Sequence, residues 1–395
     1  MHNKFNYLKI CKSTLDFLKS RVHLKDACSV ALLSLVILNH PAFAADLDPS
    51  SSDYVPGRGF QIPNTDLTVG GYVTGEYAEH GAPVLSISNA SLLFWWENDS
   101  PLKFFSEIDL QRGLTTEGSF DSQQSQYLSL ERLYADYDLT DQVTLRAGKF
   151  LTPIGRWNQI HADPLVWTTS RPLVTEIAFP TSATGVMALG TVTLLGKDVD
   201  YAFYAAEGGD LRPTPNVDPF QKALGARINV DVSDSLQVGA SLASFAQRSD
   251  RNELKNLVGA DFLWQKDGYE VTGEAIYRLS ESTSQGNERG FFIQGVAPLS
   301  EKLFAVYRYE LLSSGGAVPG PQTPFISLAM GLQPQPPGMP PLPVPPPAPP
   351  SVRLNVFGLT YRYHPNLVMK IEFVEGGSNG IRAPIGVLSS ISLLF

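Results

Sequence analysis

Cysteine, histidine and long apolar runs are all scarce in this 395-residue chain, and each scarcity excludes a class of protein. Both cysteines, Cys11 and Cys28, lie within the first 44 residues, so the remainder has neither a disulfide framework nor a thiolate metal site. Three widely separated histidines follow residue 44: His80, His161 and His364. A paired-histidine zinc motif and a glycine-rich phosphate cradle are both missing. A catalytic nucleophile needs an activating base within hydrogen-bond reach. The expectation is therefore no catalytic residue, no cofactor and no metal. One continuous apolar run, from Ala27 to Leu38, falls short of the roughly 20 residues a spanning helix requires.

That run belongs to a secretory pattern. Lys4, Lys9, Lys12, Lys19, Arg21 and Lys25 precede it, and Ala42-Phe43-Ala44 follows it, which places signal-peptidase cleavage after Ala44. Residues 1–44 are thus expected to be a signal peptide. Cys28 stands at the start of the apolar run instead of ending it, which argues against a lipid anchor there. Loss of this segment removes six Lys/Arg and two Asp and moves the net charge from −9 to −13. An acidic exported chain of this kind should not bind nucleic acid through its phosphates.

The rest of the chain alternates. In the segment 102–111, Leu102, Phe104, Ile108 and Leu110 share one face, opposite Lys103, Glu107, Asp109 and Gln111. Tyr269, Val271, Ala275, Tyr277 and Leu279 likewise oppose Glu270, Thr272, Glu274 and Arg278, and Leu367, Met369, Ile371 and Phe373 oppose Lys370 and Glu372. Charges on one side need water and apolar groups on the other need lipid or a core. A barrel with a wet lumen supplies both. The fold class expected is all-β, a transmembrane antiparallel β-barrel of about 16 strands.

The strands are expected at 65–78, 84–97, 101–112, 127–139, 142–153, 185–195, 199–208, 222–232, 236–247, 256–266, 268–280, 289–299, 302–312, 351–364, 366–376 and 386–395. The phase is ambiguous in the second and in the early part of the fourth. Tight polar turns such as Asp267-Gly268 and Pro365-Asn366 alternate with mostly longer links, as in an even barrel with short periplasmic turns, long outer loops and both termini in the periplasm. Residues 45–64 would then be a periplasmic segment and 65–395 the barrel. Trp95, Trp96, Tyr134, Tyr137, Trp264, Tyr361 and Tyr363 fall near strand ends at short turns, where a periplasmic aromatic girdle would lie. Residues 313–350 form a Pro-rich outer loop, because so many prolines cannot join a hydrogen-bonded ladder.

Two motifs carry a resemblance. The last strand, GVLSSISLLF, is amphipathic and ends in Phe395, and it resembles the C-terminal signal read by the barrel-insertion machinery of outer membranes. Arg146-Ala147-Gly148-Lys149-Phe150 followed by Pro153-Ile154-Gly155 resembles a strand ending of the Gram-negative porin superfamily, notably porins grouped with the phosphate-selective type. The resemblance implies a cell outer-membrane location amid lipid and lipopolysaccharide. It also implies a homotrimer, to which small residues at Ala223–Ala226 and Gly239–Ala243 would contribute close packing. A third outer loop folded into the lumen is implied as well. Here that loop is 155–184, and Arg156, His161, Asp163, Arg171 and Glu176 become the candidate constriction residues.

Candidate lumen-facing residues carry both signs: Lys103, Arg132, Arg146, Arg227, Arg308, Arg362 and Lys370 against Glu107, Asp109, Asp136, Asp261, Glu274, Glu310 and Glu372. Anion selectivity calls for a ladder of cations, which mixed signs do not provide. The expected function is passive diffusion of small hydrophilic solutes or ions through a water-filled channel. The competing readings are a plugged structural or adhesive barrel and an outer-membrane barrel enzyme.

Overall fold

The computed structural model describes residues 54–55, 59–80, 82–115, 127–160, 162–212, 218–249, 251–281, 286–314, 350–379, 381 and 383–395. The expected signal peptide with Ala44, the Pro-rich loop apart from its ends, and His161 lie outside the described residues.

Sixteen long strands form one antiparallel sheet: β1 (Leu67–His80), β2 (Ala82–Trp96), β3 (Leu102–Thr115), β4 (Tyr127–Thr140), β5 (Val143–Leu151), β6 (Ser182–Leu194), β7 (Lys197–Glu207), β8 (Phe220–Ser233), β9 (Leu236–Gln247), β10 (Lys255–Lys266), β11 (Tyr269–Ser280), β12 (Glu288–Pro298), β13 (Leu303–Ser314), β14 (Ser351–His364), β15 (Leu367–Asn379) and β16 (Gly386–Leu394). Each pairs with its sequence neighbours, and β16 pairs back onto β1, from Val387 opposite Glu79 to Leu394 opposite Tyr72. Phe395 completes the seam: its N–H donates to the Gly71 carbonyl at 2.8 Å and its own carbonyl accepts from Gly71 at 2.9 Å. Gly71 has to be glycine, since a Cβ there would stand 2.2 Å from the Ser91 carbonyl oxygen and 2.9 Å from the Phe395 ring. Closure leaves no sheet edge, which is the condition for burying strands in lipid.

The period-two pattern sorts the faces as the alternation predicts. Each strand from β2 to β16 leaves at least one large apolar residue exposed on the outside, including Phe104, Phe203, Leu224, Leu242, Tyr277, Phe357 and Ile371. The residues of opposite phase on these strands, Glu107, Asp109, Arg227, Glu274, Arg308, Lys370 and Glu372, are buried inside. Each outward side chain would forgo roughly 1.5–3 kcal/mol if it faced water, so the belt is a surface made for lipid.

Register shifts disturb this pattern, among them those at Ser88 and Glu131. Between β1 and β2, Gly75 faces Ile87 and Thr74 faces Asn89, so Ser88 is unpaired. Between β3 and β4, Ile108 faces Leu130 and Glu107 faces Arg132, so Glu131 is the extra residue.

Seven connections at one end are short: 97–101, 141–142, 195–196, 234–235, 267–268, 299–302 and 365–366. Leu195-Gly196 (φ 52° and 73°) and Asp267-Gly268 (φ 53° and 82°) have both central residues left-handed, the geometry that matches the twist of a two-residue hairpin. Links at the other end are longer, with one exception to the expected pattern. A single residue separates His80 from Ala82, so His80 closes a strand and does not sit in a loop.

Two expectations are corrected here. Part of the N-terminal segment joins the sheet: Tyr54–Val55 pairs with Gly59–Gln61, which pairs in turn with Thr68 and Val69 of β1. The aromatic girdle is also smaller than expected. Tyr137, Tyr361 and Tyr363 are exposed on the outside, and Trp96 stacks on outward Phe104 with centroids 5.4 Å apart. Trp95 and Tyr134 turn inward onto Phe105, with centroids at 5.5 and 5.3 Å. Adjacent residues of a strand cannot share a face, so Trp95 and Trp96 had to part.

Candidate functional site

The third link at the end opposite the short turns, residues 152–181, folds into the barrel. Its ends are tied together before it enters. The Thr152 N–H donates to the Thr181 carbonyl at 2.9 Å, Thr152 Oγ1 donates to the Pro180 carbonyl at 2.8 Å, and buried Asn158 donates from Nδ2 to the Thr152 and Thr181 carbonyls at 2.8 and 2.9 Å. Gly155 makes the entry turn at φ 66°, where a Cβ would lie 2.2 Å from Glu274 Oε2. The adjoining glycine of the strand motif, Gly148 at φ 130°, passes so close to the Leu133 carbonyl oxygen that a Cβ would stand 2.2 Å from it. Past it Lys149 is fully buried, donating to Asp210 at 2.9 Å and to the Leu211 carbonyl at 3.1 Å.

Inside, the loop is held by its backbone. An irregular segment leaves N–H and C=O groups unpaired, and burying them without partners costs about 1–3 kcal/mol each. The wall from β11 to β15 supplies those partners. Glu274 accepts from Trp157 N–H, Glu372 accepts from Thr169 and Ser170 N–H at 3.0 and 2.8 Å, and Glu310 accepts from Leu173 N–H at 2.8 Å. The last contact caps the short helix α1 (Leu173–Ile177), whose own cap residue, Pro172, makes no side-chain cap. Donors serve the carbonyls: Lys370 reaches Asp163 and Thr168 at 2.5 and 3.2 Å, Thr360 reaches Trp167 at 2.6 Å, and Arg362 reaches Pro164 and Leu165 at 3.4 and 3.3 Å. Arg308 binds Thr168 Oγ1 at 2.5 Å and Ser170 Oγ at 2.6 Å.

These contacts revise the expected lining. Arg308 and Arg362 face inward but grip the loop, and Arg308 is fully covered. Glu107 is buried too, accepting from Ser91 at 3.1 Å and from Arg132 Nε at 2.5 Å, and Asp109 is buried beside it. Lys103 and Arg146 keep partial access to water: Lys103 pairs with Glu97 and Asp138 at 3.4 and 3.1 Å, and Arg146 with Asp136 at 2.7 Å.

The five loop residues singled out from sequence do not converge on one aperture. Arg156 donates from Nη1 to Gln237 Oε1 at 2.7 Å, against β9. Asp163 lies across the lumen, where its carbonyl receives Lys370. Arg171 is spent within the loop, on Asn158 Oδ1 at 2.7 Å and on Thr175 Oγ1 and carbonyl at 3.2 Å. Glu176 is exposed, and His161 lies outside the described residues. Burial pushes the pKa of Arg171 and Arg156 down from the usual arginine value. Sequence reasoning missed bulge residue Glu131, the Arg278–Glu288 pair at 2.8 Å and the inward aromatics, all of which depend on strand phase or non-local partners.

At least two cavities lie beside the loop among the described residues. One, of about 530 Å³, is lined by Arg132, Arg146, Arg156 and Arg227 with Gln159, Asn229 and Gln237. The other, of about 400 Å³, lies between β1–β4 and Ala162 and Leu165 of the loop. Arg132 borders both.

No family model matches the chain. An uncharacterized protein of Aquifex aeolicus (strain VF5) is 23% identical over 359 residues, covering 78% of this chain and 75% of that protein. Among solved structures, the outer-membrane channel DcaP of Acinetobacter baumannii superposes with a TM-score of 0.54 at 12% identity, over 86% of this chain and all of that one. An anion-selective porin from Comamonas acidovorans gives 0.53 at 11%, over 84% and 100%. In-vitro folded OmpT, an outer membrane protein of Vibrio cholerae in its trimer form, gives 0.52 at 10%, over 83% and 99%. At such identities the likeness bears on architecture alone, and the architecture it establishes is the closed sixteen-stranded antiparallel barrel of outer-membrane porins.

Proposed function

We propose that this chain is a narrow outer-membrane channel of a Gram-negative cell, passing small hydrophilic solutes by diffusion with no chemical step. The observation that carries this reading is a closed barrel with an apolar belt outside, charge inside, and an inward loop that leaves open space beside it. Because the loop covers the β11–β15 wall, passage runs along β1–β9, past Arg132, Arg146 and Arg156. The short turns then face the periplasm and the long loops the outside, in contact with lipopolysaccharide. Barrel-insertion machinery and a homotrimeric assembly complete the proposal, the latter supported by the trimer form of a structural neighbour.

One observation favours a second reading, a plugged barrel: inner-wall side chains all round the ring, from Glu107 and Asp109 through Arg227 to Arg308 and Glu372, are buried. Planar-bilayer recording of purified, refolded protein separates the two. Discrete conductance steps are expected, and their absence from correctly folded protein would favour the plug.

A further inference from the structure

The smaller cavity is unusual in a lumen otherwise walled by charge. Leu93, Trp95, Phe105 and Tyr134 line it from the wall and Leu165 from the loop. Leu165 is 52% exposed although it lies inside the barrel, and open apolar surface in a wet lumen suits an apolar occupant. Lys103, Asp136 and Arg132 stand on the polar edge, with Glu97 and Glu107 beside them as the ion-pair partners of Lys103 and Arg132. The first two are engaged, Lys103 with Glu97 and Asp138 at 3.4 and 3.1 Å, Asp136 with both Nε and Nη2 of Arg146 at 2.7 and 2.8 Å. Arg132 is different. Glu107 takes its Nε at 2.5 Å, and among the described residues Nη1 and Nη2 have no acceptor. Its guanidinium is held 4.5 Å from the centroid of the Phe105 ring, a cation–π contact that orients the fork.

We propose that this cavity binds a small aromatic carboxylate, its ring between Leu165 and the Trp95–Phe105 wall and its carboxylate on the terminal nitrogens of Arg132. A volume of about 400 Å³ accommodates one substituted benzene ring. A sugar would need hydrogen-bonding groups around its whole rim, and here they are tied up in pairs. An organic cation would meet no carboxylate free of its own cation. The proposal deepens the channel reading and rests on it only for access, since solutes reach the cavity through the lumen.

The test is titration of the full chain in lipid nanodiscs with benzoate, benzyl alcohol, acetate and D-glucose, followed by calorimetry and tryptophan fluorescence. Benzoate is expected to bind saturably and at least about tenfold more tightly than the other three, the effect of one charge-assisted hydrogen bond or one buried ring. Arg132→Lys, which keeps the charge and loses the fork, and Leu165→Glu, at an exposed position that folding tolerates, should each weaken benzoate by about tenfold or more. Benzyl alcohol or glucose binding as tightly as benzoate overturns the proposal, and so does unchanged affinity in both variants. If benzoate binds as expected to protein that shows no conductance steps, the site stands and the channel reading falls.

Discussion

Glu372 holds the inward loop by two backbone N–H groups at once, so its removal should loosen one stretch of the loop and leave the barrel intact. Its carboxylate accepts from Thr169 and Ser170 at 3.0 and 2.8 Å, and the side chain is buried. Hydrogen bonds to an ionised acceptor contribute about 1.5–3 kcal/mol each, so Glu372→Ala should weaken docking of this stretch by about 3–6 kcal/mol. Neighbouring grips from Glu310, Arg308 and Lys370 persist, which confines the opening to residues near 168–172. At 1.4 kcal/mol per factor of ten, local opening should become at least about 100-fold more frequent. Hydrogen exchange read by mass spectrometry on peptides spanning 165–172 measures this directly. Glu301→Gln, in a short turn far from the loop, serves as the control. Exchange in the alanine variant within about threefold of the unaltered protein would refute the view that wall carboxylates hold the loop by its backbone.

Arg156→Glu should move the cation-to-anion permeability ratio several-fold toward cations, since reversing one charge at about 8 Å in water changes an ion's energy by about 1 kcal/mol. Screening halves the effect at 0.1 M salt, and reversal potentials across a salt gradient give the ratio. Arg171→Glu is expected to behave differently: it breaks contacts with Asn158 and Thr175 inside the loop, so conductance and its noise should rise without a directed change in selectivity. Deleting Phe395 removes both backbone bonds to Gly71 as well as the terminal aromatic, and the variant should be missing from outer-membrane fractions; normal levels there would contradict a role at the seam. Epitope tags at Asp234, in a short turn, and at Pro346 should be accessible from opposite sides of the membrane in intact cells, and equal labelling from outside would invert or abolish the proposed topology.

Alternation along the chain was sufficient to place sixteen strands and to separate lipid-facing Phe104, Tyr277 and Ile371 from inward Glu107, Glu274 and Lys370, whereas the inward third outer link was implied by the resemblance to porins. Period two is a local property of extended backbone, readable without knowing what a strand pairs with. The two strands whose phase is ambiguous in sequence are the two that carry the bulges at Ser88 and Glu131. A bulge breaks the period where it occurs, so Glu131 and Arg132 both turn inward. The sequence could not say which inward charges meet water. That was decided by contacts such as Glu372 with Ser170 and Glu310 with Leu173, across 202 and 137 residues of chain. Those contacts are made largely to backbone N–H and C=O groups, which every residue carries, so no side-chain pattern announces them. The tertiary fold alone turned Arg308, Arg362 and Glu372 from expected pore lining into the grips of a loop, and left the water to Arg132, Arg146 and Arg156.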